Sequence, residues 1–241
     1  MHLVPRSSPR SWGLGALTLC VTATPFLLPS ASTAGAATLS ASALMSLALK
    51  DAVAAGSVHE VERATAPGHL FTMDNDIATT SGRQIINSDG AHAQVIVVKD
   101  VAYIYGDKKA VADYFQISTT DPAKYANRWL SIPSTDSAYK TVSNAVTIKS
   151  DFTDVKIPGV VTRGATVEVN GQKVVPIKGS APATSTSAKI NATLFVTASS
   201  PVRPVELHLA TTSETVTTTW SKWGAAVVLS APAKSSPLTV P

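Results

Sequence analysis

The residues able to do chemistry are few and scattered. Outside the first 36 residues the histidines are His59, His69, His92 and His208, and none makes a close metal-ligand spacing such as H-x-x-x-H. Solvent-facing strand histidines account for them. Asp74-Asn75-Asp76 has the alternation that begins a calcium loop, but no glycine or distal glutamate follows at loop spacing. A hairpin turn is the simpler reading. Asp151 and Asp154 are close enough for a carboxylate pair, and a helix terminus explains them with less. No G-x-S-x-G, P-loop or G-x-G-x-x-G stretch occurs. Serine and threonine are so abundant that no single hydroxyl stands out as a nucleophile. The pattern points to a non-catalytic protein, with no metal and no cofactor.

The first 36 residues read as a secretory leader. Arg6 and Arg10 form a basic start, Trp12 to Leu28 is mostly apolar, and Ala34-Gly35-Ala36 is an A-x-A cleavage site. A membrane anchor is the competing reading. It needs roughly 20 apolar residues, and Pro25 and Pro29 fall where the helix should continue. Cys20 is the only cysteine. Leu17-Thr18-Leu19-Cys20 is similar to a lipobox, in which the cysteine is acylated, although Leu19 is larger than that position prefers. Cleavage after Ala36 would leave a chain without cysteine, held by its core alone.

The leader holds two of the 20 basic residues, so the remainder sets 18 against 16 acidic residues and is near neutral. Lys108-Lys109 is the only adjacent basic pair. Nucleic-acid binding has no support in this balance.

The rest of the chain supplies elements for one domain, expected over residues 37–232, with a flexible tail over 233–241. A helix from about Ser40 to Ala55 has Leu44, Leu47 and Ala48 on one side, widened by Met45, Leu49 and Val53. Ser40 or Ser42 caps its start and Gly56 stops it. Strands follow at Ser57–Ala66, His69–Ala78, Arg83–Asn87, Ala91–Val98 and Val101–Tyr105. Val95-Ile96-Val97-Val98 and Val101 to Tyr105 are apolar enough to be buried on both faces or central in the sheet. Helical spacing then appears at Lys108–Phe115, from Asp121-Pro122, and at Ser134–Val146. A second meander begins with Ala165–Val169 and Gln172–Lys178 around Asn170-Gly171, a type I′ hairpin signal. Ala181–Ser187 reads as a mobile loop. Lys189–Thr197 carries Leu194 and Val196 on its apolar side. Val202–Leu209 sets Val205, Leu207 and Leu209 against Glu206 and His208. Thr215–Lys222 aligns Val216, Thr218 and Trp220, and Ala225–Ser230 is read as the last strand. Tyr103, Tyr105, Tyr114, Tyr125, Trp129 and Trp220 either line a cavity or fill a core. The fold class is α+β, with helices interrupting an antiparallel sheet.

An exported leader, an apolar helix, a β-half, short helices and a second β-half resemble the actinobacterial LolA-like lipoproteins of the LppX/LprG type. Gly56-Ser57-Val58-His59, Tyr125 to Pro133 (YANRWLSIP), Gly171-Gln172-Lys173-Val174-Val175 and Ser221-Lys222-Trp223-Gly224 resemble landmarks of uncharacterised members. The resemblance spans roughly residues 40 to 232. It implies a strongly curved half-barrel sheet with helices over a concave face that holds acyl chains. It carries over no polar motif. The apolar candidates facing such a chain are Leu44, Leu47, Ala48, Leu194, Val196, Leu207, Leu209 and Val216, with Cys20 as a candidate acylation site.

The reading is thus a monomeric cell-envelope or secreted carrier for a lipid or acylated glycolipid, with the membrane surface as a further partner. The rival is an envelope scaffold with a filled core and no ligand. Cavity volume separates the two. A continuous apolar groove supports the carrier, and side chains meeting across the interior support the scaffold.

Overall fold

The computed structural model describes residues 38–115, 122–184 and 188–238. The leader, Cys20 and the Asp121 cap lie outside these residues. Thirteen strands form one open sheet in the order β13-β6-β5-β4-β3-β2-β1-β12-β11-β10-β9-β7, with β8 on β9. The first half comprises β1 (Ser57–Ala66), β2 (His69–Ala78), β3 (Gly82–Ser88), β4 (Ala91–Val98) and β5 (Val101–Gly106). After β6 (Leu130–Pro133), the second half comprises β7 (Thr162–Arg163), β8 (Val167–Val169), β9 (Gln172–Ala181), β10 (Ile190–Thr197), β11 (Pro204–Ala210) and β12 (Thr215–Ser221). The ends of this order, β13 (Ser236–Pro237) and β7, do not pair, so the sheet does not close. Every described pairing is antiparallel except β13 on β6.

Helix α1 (Ala41–Ala54) forms where its apolar spacing predicts. The Ser40 hydroxyl caps it, accepting from the Ala43 N–H at 3.2 Å. Ala41, Leu44, Ala48 and Ala52 are its buried stripe. Helix α2 (Lys108–Asp113) is capped by Asp107, whose carboxylate accepts from both Ala110 N–H and His92 N–H at 2.7 Å. Helix α3 (Ser137–Asn144) is shorter than its sequence signal. Asp136 caps it, accepting from Ala138 N–H at 2.8 Å. Pro122–Lys124 make a single 3₁₀ turn.

Several expectations are corrected. Asp74-Asn75-Asp76 is not a turn but the middle of β2, fully paired with β1 and β3. Leu130–Pro133, short and proline-ended, is strand β6 beside β5. Helix α4 (Ile148–Asp154) lay hidden in a polar stretch, with Asp151 in its first turn and Asp154 as its last residue. Of the two alternatives for β4 and β5, the central position holds, since each is paired on both edges, but they are buried on one face only because nothing described covers their outer side. No strand forms at Ala225–Ser230. The chain instead runs on to β13, where Ser236 N–H donates to Trp129 O at 3.0 Å and Leu238 N–H to Ser131 O at 2.9 Å. The tail is therefore tied to the sheet edge where fraying was expected. Ser185–Ser187 of the expected mobile loop lie outside the described residues, and β9 extends to Ala181.

The hairpin at Asn170-Gly171 matches its signal, with φ of 51° and 76°. Gly82 serves a close approach. A Cβ there would lie 2.3 Å from the Val146 carbonyl oxygen, because the chain between α3 and α4 crosses the sheet at that point. Thr147 makes a bridge to Ala78 beside it.

Candidate functional site

Strand register assembles the inner face into rows. One row runs Ile177–Leu194–Leu207–Thr218–Glu62–Met73–Ile86–Ala93. The next runs Trp220–Glu60–Asn75–Gln84–Val95–Ile104–Leu130. Beyond it lies Val58–Ile77–Gly82–Val97–Ala102–Ile132. On the opposite side lies Leu209–Val216–Ala64–Phe71–Ser88–Ala91.

Two apolar clusters occupy the ends of this face. One joins β2 to β6 with α2 and α3, around Val95, Ile104, Val111, Phe115, Ile132 and Val142. The other joins α1 and α4 with β1 and β9 to β12, around Leu44, Ile77, Phe152, Ile177, Leu194 and Trp220. The second cluster holds most of the apolar candidates. Leu44, Ala48, Leu194 and Val196 have no exposed surface and Leu207 is 2% exposed. Leu47 and Leu209 are half-buried and pack against the same cluster. Val216 is buried, in the row next to the sheet end. The structure thus brings seven of the eight side chains into contact with one cluster, under or beside α1.

Helix α1 is tied at both ends. Arg163 donates to Leu39 O at 3.3 Å, and the Asp51 carboxylate accepts from Val202 N–H at 2.9 Å. The apolar recess on this side is small, and an open hollow of about 660 Å³ lies beside it at the turns around Gly68 and Gly90. A pocket of about 120 Å³ opens at the end of β1 and β2, lined by Ala64, Ala66, Leu70, Phe71, Ser88 and Glu214. Leu70 is 57% exposed at its lip.

Between the clusters lies a polar belt that sequence reasoning missed. Glu60, Glu62 and Thr218 have no exposed surface, Asn75 is 1% exposed and Gln84 is 4% exposed. Glu60 Oε1 accepts from Asn75 Nδ2 at 2.9 Å, and Glu60 Oε2 accepts from the Trp220 indole N–H at 2.7 Å. Glu62 Oε2 accepts from the Thr218 hydroxyl at 3.1 Å. Gln84 Nε2 donates to the Met73 thioether at 3.1 Å, a weak acceptor. Burying such groups is costly unless they are hydrogen-bonded, and the register delivers those bonds directly across strands. The signal was present in β1. Val58, Glu60, Glu62 and Ala64 share one parity, and all four are buried.

The outer face carries charge pairs. His59 is half-buried, not merely solvent-facing. Its Nδ1 lies 2.9 Å from Asp76, which Arg83 meets at 2.6 Å, with Asp74 at 3.5 Å from the same guanidinium. His59, Asp74 and Asp76 bring possible ligand atoms within 4.8 Å of one another. Arg83 between the two carboxylates makes this an ion-pair ladder across three strands. His69 is exposed and pairs with Asp89, holding that carboxyl below its ordinary range with help from the Leu70 N–H. Burial pushes the Tyr114 hydroxyl up, opposed by its hydrogen bond with Ser88. His208 is half exposed, but its partner Glu206 is only 14% exposed, less than strand alternation predicts. Glu206 stays in regular register opposite Phe195 and Thr219, and a register slip follows beyond it at Phe195/Val196. The slip buries Pro204 in place of Val205.

No protein-family model matches the sequence, and no curated protein matches it significantly. Solved structures do. The crystal structure of LprF from Mycobacterium bovis aligns over 80% of this chain and 97% of its own, with a TM-score of 0.53 at 17% identity. Lipoprotein LppX of Mycobacterium tuberculosis aligns over 78% of this chain and 99% of its own, with a TM-score of 0.45 at 16% identity. The open sheet, its strand order and its few helices give this chain the fold of the mycobacterial LolA-like lipoproteins of the LppX/LprG type.

Proposed function

We propose that this protein is a non-catalytic carrier of the cell envelope that holds acyl chains on the inner face of the sheet. The carrying observation is the cover. An open sheet with an apolar inner face is overlaid by short helices rather than by a second sheet. The helix over the candidate residues packs through a fully buried stripe of three alanines and one leucine, flanked by half-buried Met45, Leu47, Leu49 and Val53. Such a cover can lift without breaking any sheet hydrogen bond. The eight apolar candidates, Leu44, Leu47, Ala48, Leu194, Val196, Leu207, Leu209 and Val216, are proposed as the surface that meets the chain. Partitioning is the mechanism. Each methylene gains about 0.8 kcal/mol against water, and near zero against a membrane. The carrier therefore matches the bilayer and needs no reactive group. Among the described residues, no helix is long and apolar enough to cross a membrane. The leader is proposed to export the chain, ending after Ala36 or carrying an acyl group on Cys20.

One observation favours the scaffold reading. The apolar pocket of about 120 Å³ is well below the roughly 300 Å³ at which ligand sites begin, and the open hollow of about 660 Å³ beside it lies at the turns joining β1 to β2 and β3 to β4. On the carrier reading the described state is the closed one. Native mass spectrometry of protein purified from its own host decides between them. Bound species that release fatty acids on hydrolysis support the carrier. A bare polypeptide mass, with no lipid recovered by extraction, refutes it.

A further inference from the structure

The carrier reading treats the inner face as apolar, yet its centre is not. The belt of Thr218, Glu60, Glu62, Asn75 and Gln84 spans strands β12, β1, β2 and β3, which at about 4.8 Å per strand is roughly 14 Å wide. An acyl chain crossing from one cluster to the other must lie over these groups. Methylenes there offer them no hydrogen bond, which leaves buried polar atoms desolvated and unmatched.

The belt also has an acceptor left over. Asn75 Oδ1 is buried and accepts no hydrogen bond. Turning the amide over does not help, because it would set Oδ1 against Glu60 Oε1, 2.9 Å from the present Nδ2. Glu60 thus fixes which end of the amide is free. Beside it in the same row, Gln84 spends an N–H on a thioether. Native interiors seldom leave such groups unmatched, and a ligand or a buried water is what completes them.

We infer that the interior selects an amphiphile carrying hydrogen-bond donors between its apolar arms, amide N–H or hydroxyl groups on a short linker, over ester lipids that have no donor. The linker sits on the belt, donating to Asn75 Oδ1, and one arm lies against each apolar cluster. This inference rests on the carrier reading and adds to it the class of lipid.

The test is a competition on the purified full-length protein, read by native mass spectrometry. The probes are N-palmitoylsphingosine, which has an amide N–H and two hydroxyls, and 1,2-dipalmitoyl-3-acetylglycerol, which has none. The wild type should retain the first at least about tenfold over the second, the worth of one to two net hydrogen bonds. Asn75→Leu should bring that ratio to about one. A thermal melt of Asn75→Leu is compared with that of Lys173→Ala, an exposed position on β9 outside the belt and both clusters that should fold and keep the preference. The comparison guards against a misfolded Asn75 variant. Both lipids retained equally by the wild type would overturn the inference and leave the carrier standing. Neither lipid retained would overturn both. An unchanged preference in folded Asn75→Leu would also overturn the assignment of the belt.

Discussion

Trp220 joins the two kinds of interior, and its replacement measures both. The residue is 4% exposed, and its ring centroid lies 5.7 Å from that of Phe152. Its indole N–H reaches Glu60 Oε2 at 2.7 Å. Trp220→Ala should cost about 3–5 kcal/mol for the lost packing alone. Leaving a buried acceptor one donor short adds about 1–3 kcal/mol. That total is a large part of the 5–15 kcal/mol typical of a domain, so the alanine variant should sit close to unfolding. Trp220→Phe is the sharper probe. It keeps most of the aromatic burial and removes the N–H, with an expected cost of about 1–3 kcal/mol. Glu60→Leu removes the acceptor and strands Asn75 Nδ2 as well. In the double variant the lost Trp220–Glu60 bond is counted once, so the pair should cost about 1–2 kcal/mol less than the sum of its members. Urea denaturation supplies all three values, provided that the m-value stays constant. A Trp220→Phe cost under about 0.5 kcal/mol, with a coupling near zero, would show that the belt contributes no net bond and that the register argument is wrong in energy if not in geometry.

Three further outcomes follow from particular contacts. Leu194→Asp should unfold the protein at room temperature, because Leu194 has no exposed surface, whereas half-buried Leu47→Asp should stay folded and lose bound lipid; thermal melts beside lipid extraction compare them. Gly82→Ala should lower the melting temperature sharply, since the new Cβ meets backbone at Val146 rather than a side chain that can turn away; a melt within a degree or two of wild type would mean that the α3–α4 crossing is loose. His69→Ala should move the Asp89 pKa up toward its ordinary 3.8, as read by carboxyl NMR. Because the folded value is depressed, the pair's contribution to stability is present above 3.8 and is lost as pH falls through the folded pKa, so a pair effect that grows on acidification would contradict the sign.

Strands announced by alternation and hairpin chemistry were legible. β1, β2 and β4 match their predicted bounds, and α1 matches within a residue at each end. Three features were not, each for a physical reason. β6 is too short to alternate and exists because β5 offers it an edge. α4 has no side-chain cap, and it is fixed by Phe152 packing at a tilt against Trp220 and Trp223. The stretch Ala225–Ser230 has strand-like composition but no paired neighbour in the sheet, and composition alone does not supply one. The polar belt was missed because the parity of β1 was not followed from Val58 through Glu60 and Glu62. Parity and register, not residue type, decide which face a strand residue occupies.

The closed interior changes what sets affinity. If an acyl chain gains nearly nothing on leaving a bilayer for an apolar groove, the cost of opening decides whether it is retained. The fully buried stripe of α1 is Ala41, Leu44, Ala48 and Ala52. At about 0.8 kcal/mol per methyl and about 2 kcal/mol for the leucine, exposing it costs roughly 4–5 kcal/mol before the flanking half-buried residues are counted. An arriving chain re-covers most of that surface, so the opening cost is largely returned on binding. A stripe of larger side chains would fill the space the ligand must take and would return less. The alanines thus suit a cover that closes on itself when empty and on a chain when loaded. The belt beneath cannot be satisfied by closure in that way, because Asn75 Oδ1 stays unmatched in the closed state. On the proposed carrier reading, apolar closure governs whether a lipid is held, and the belt governs which one.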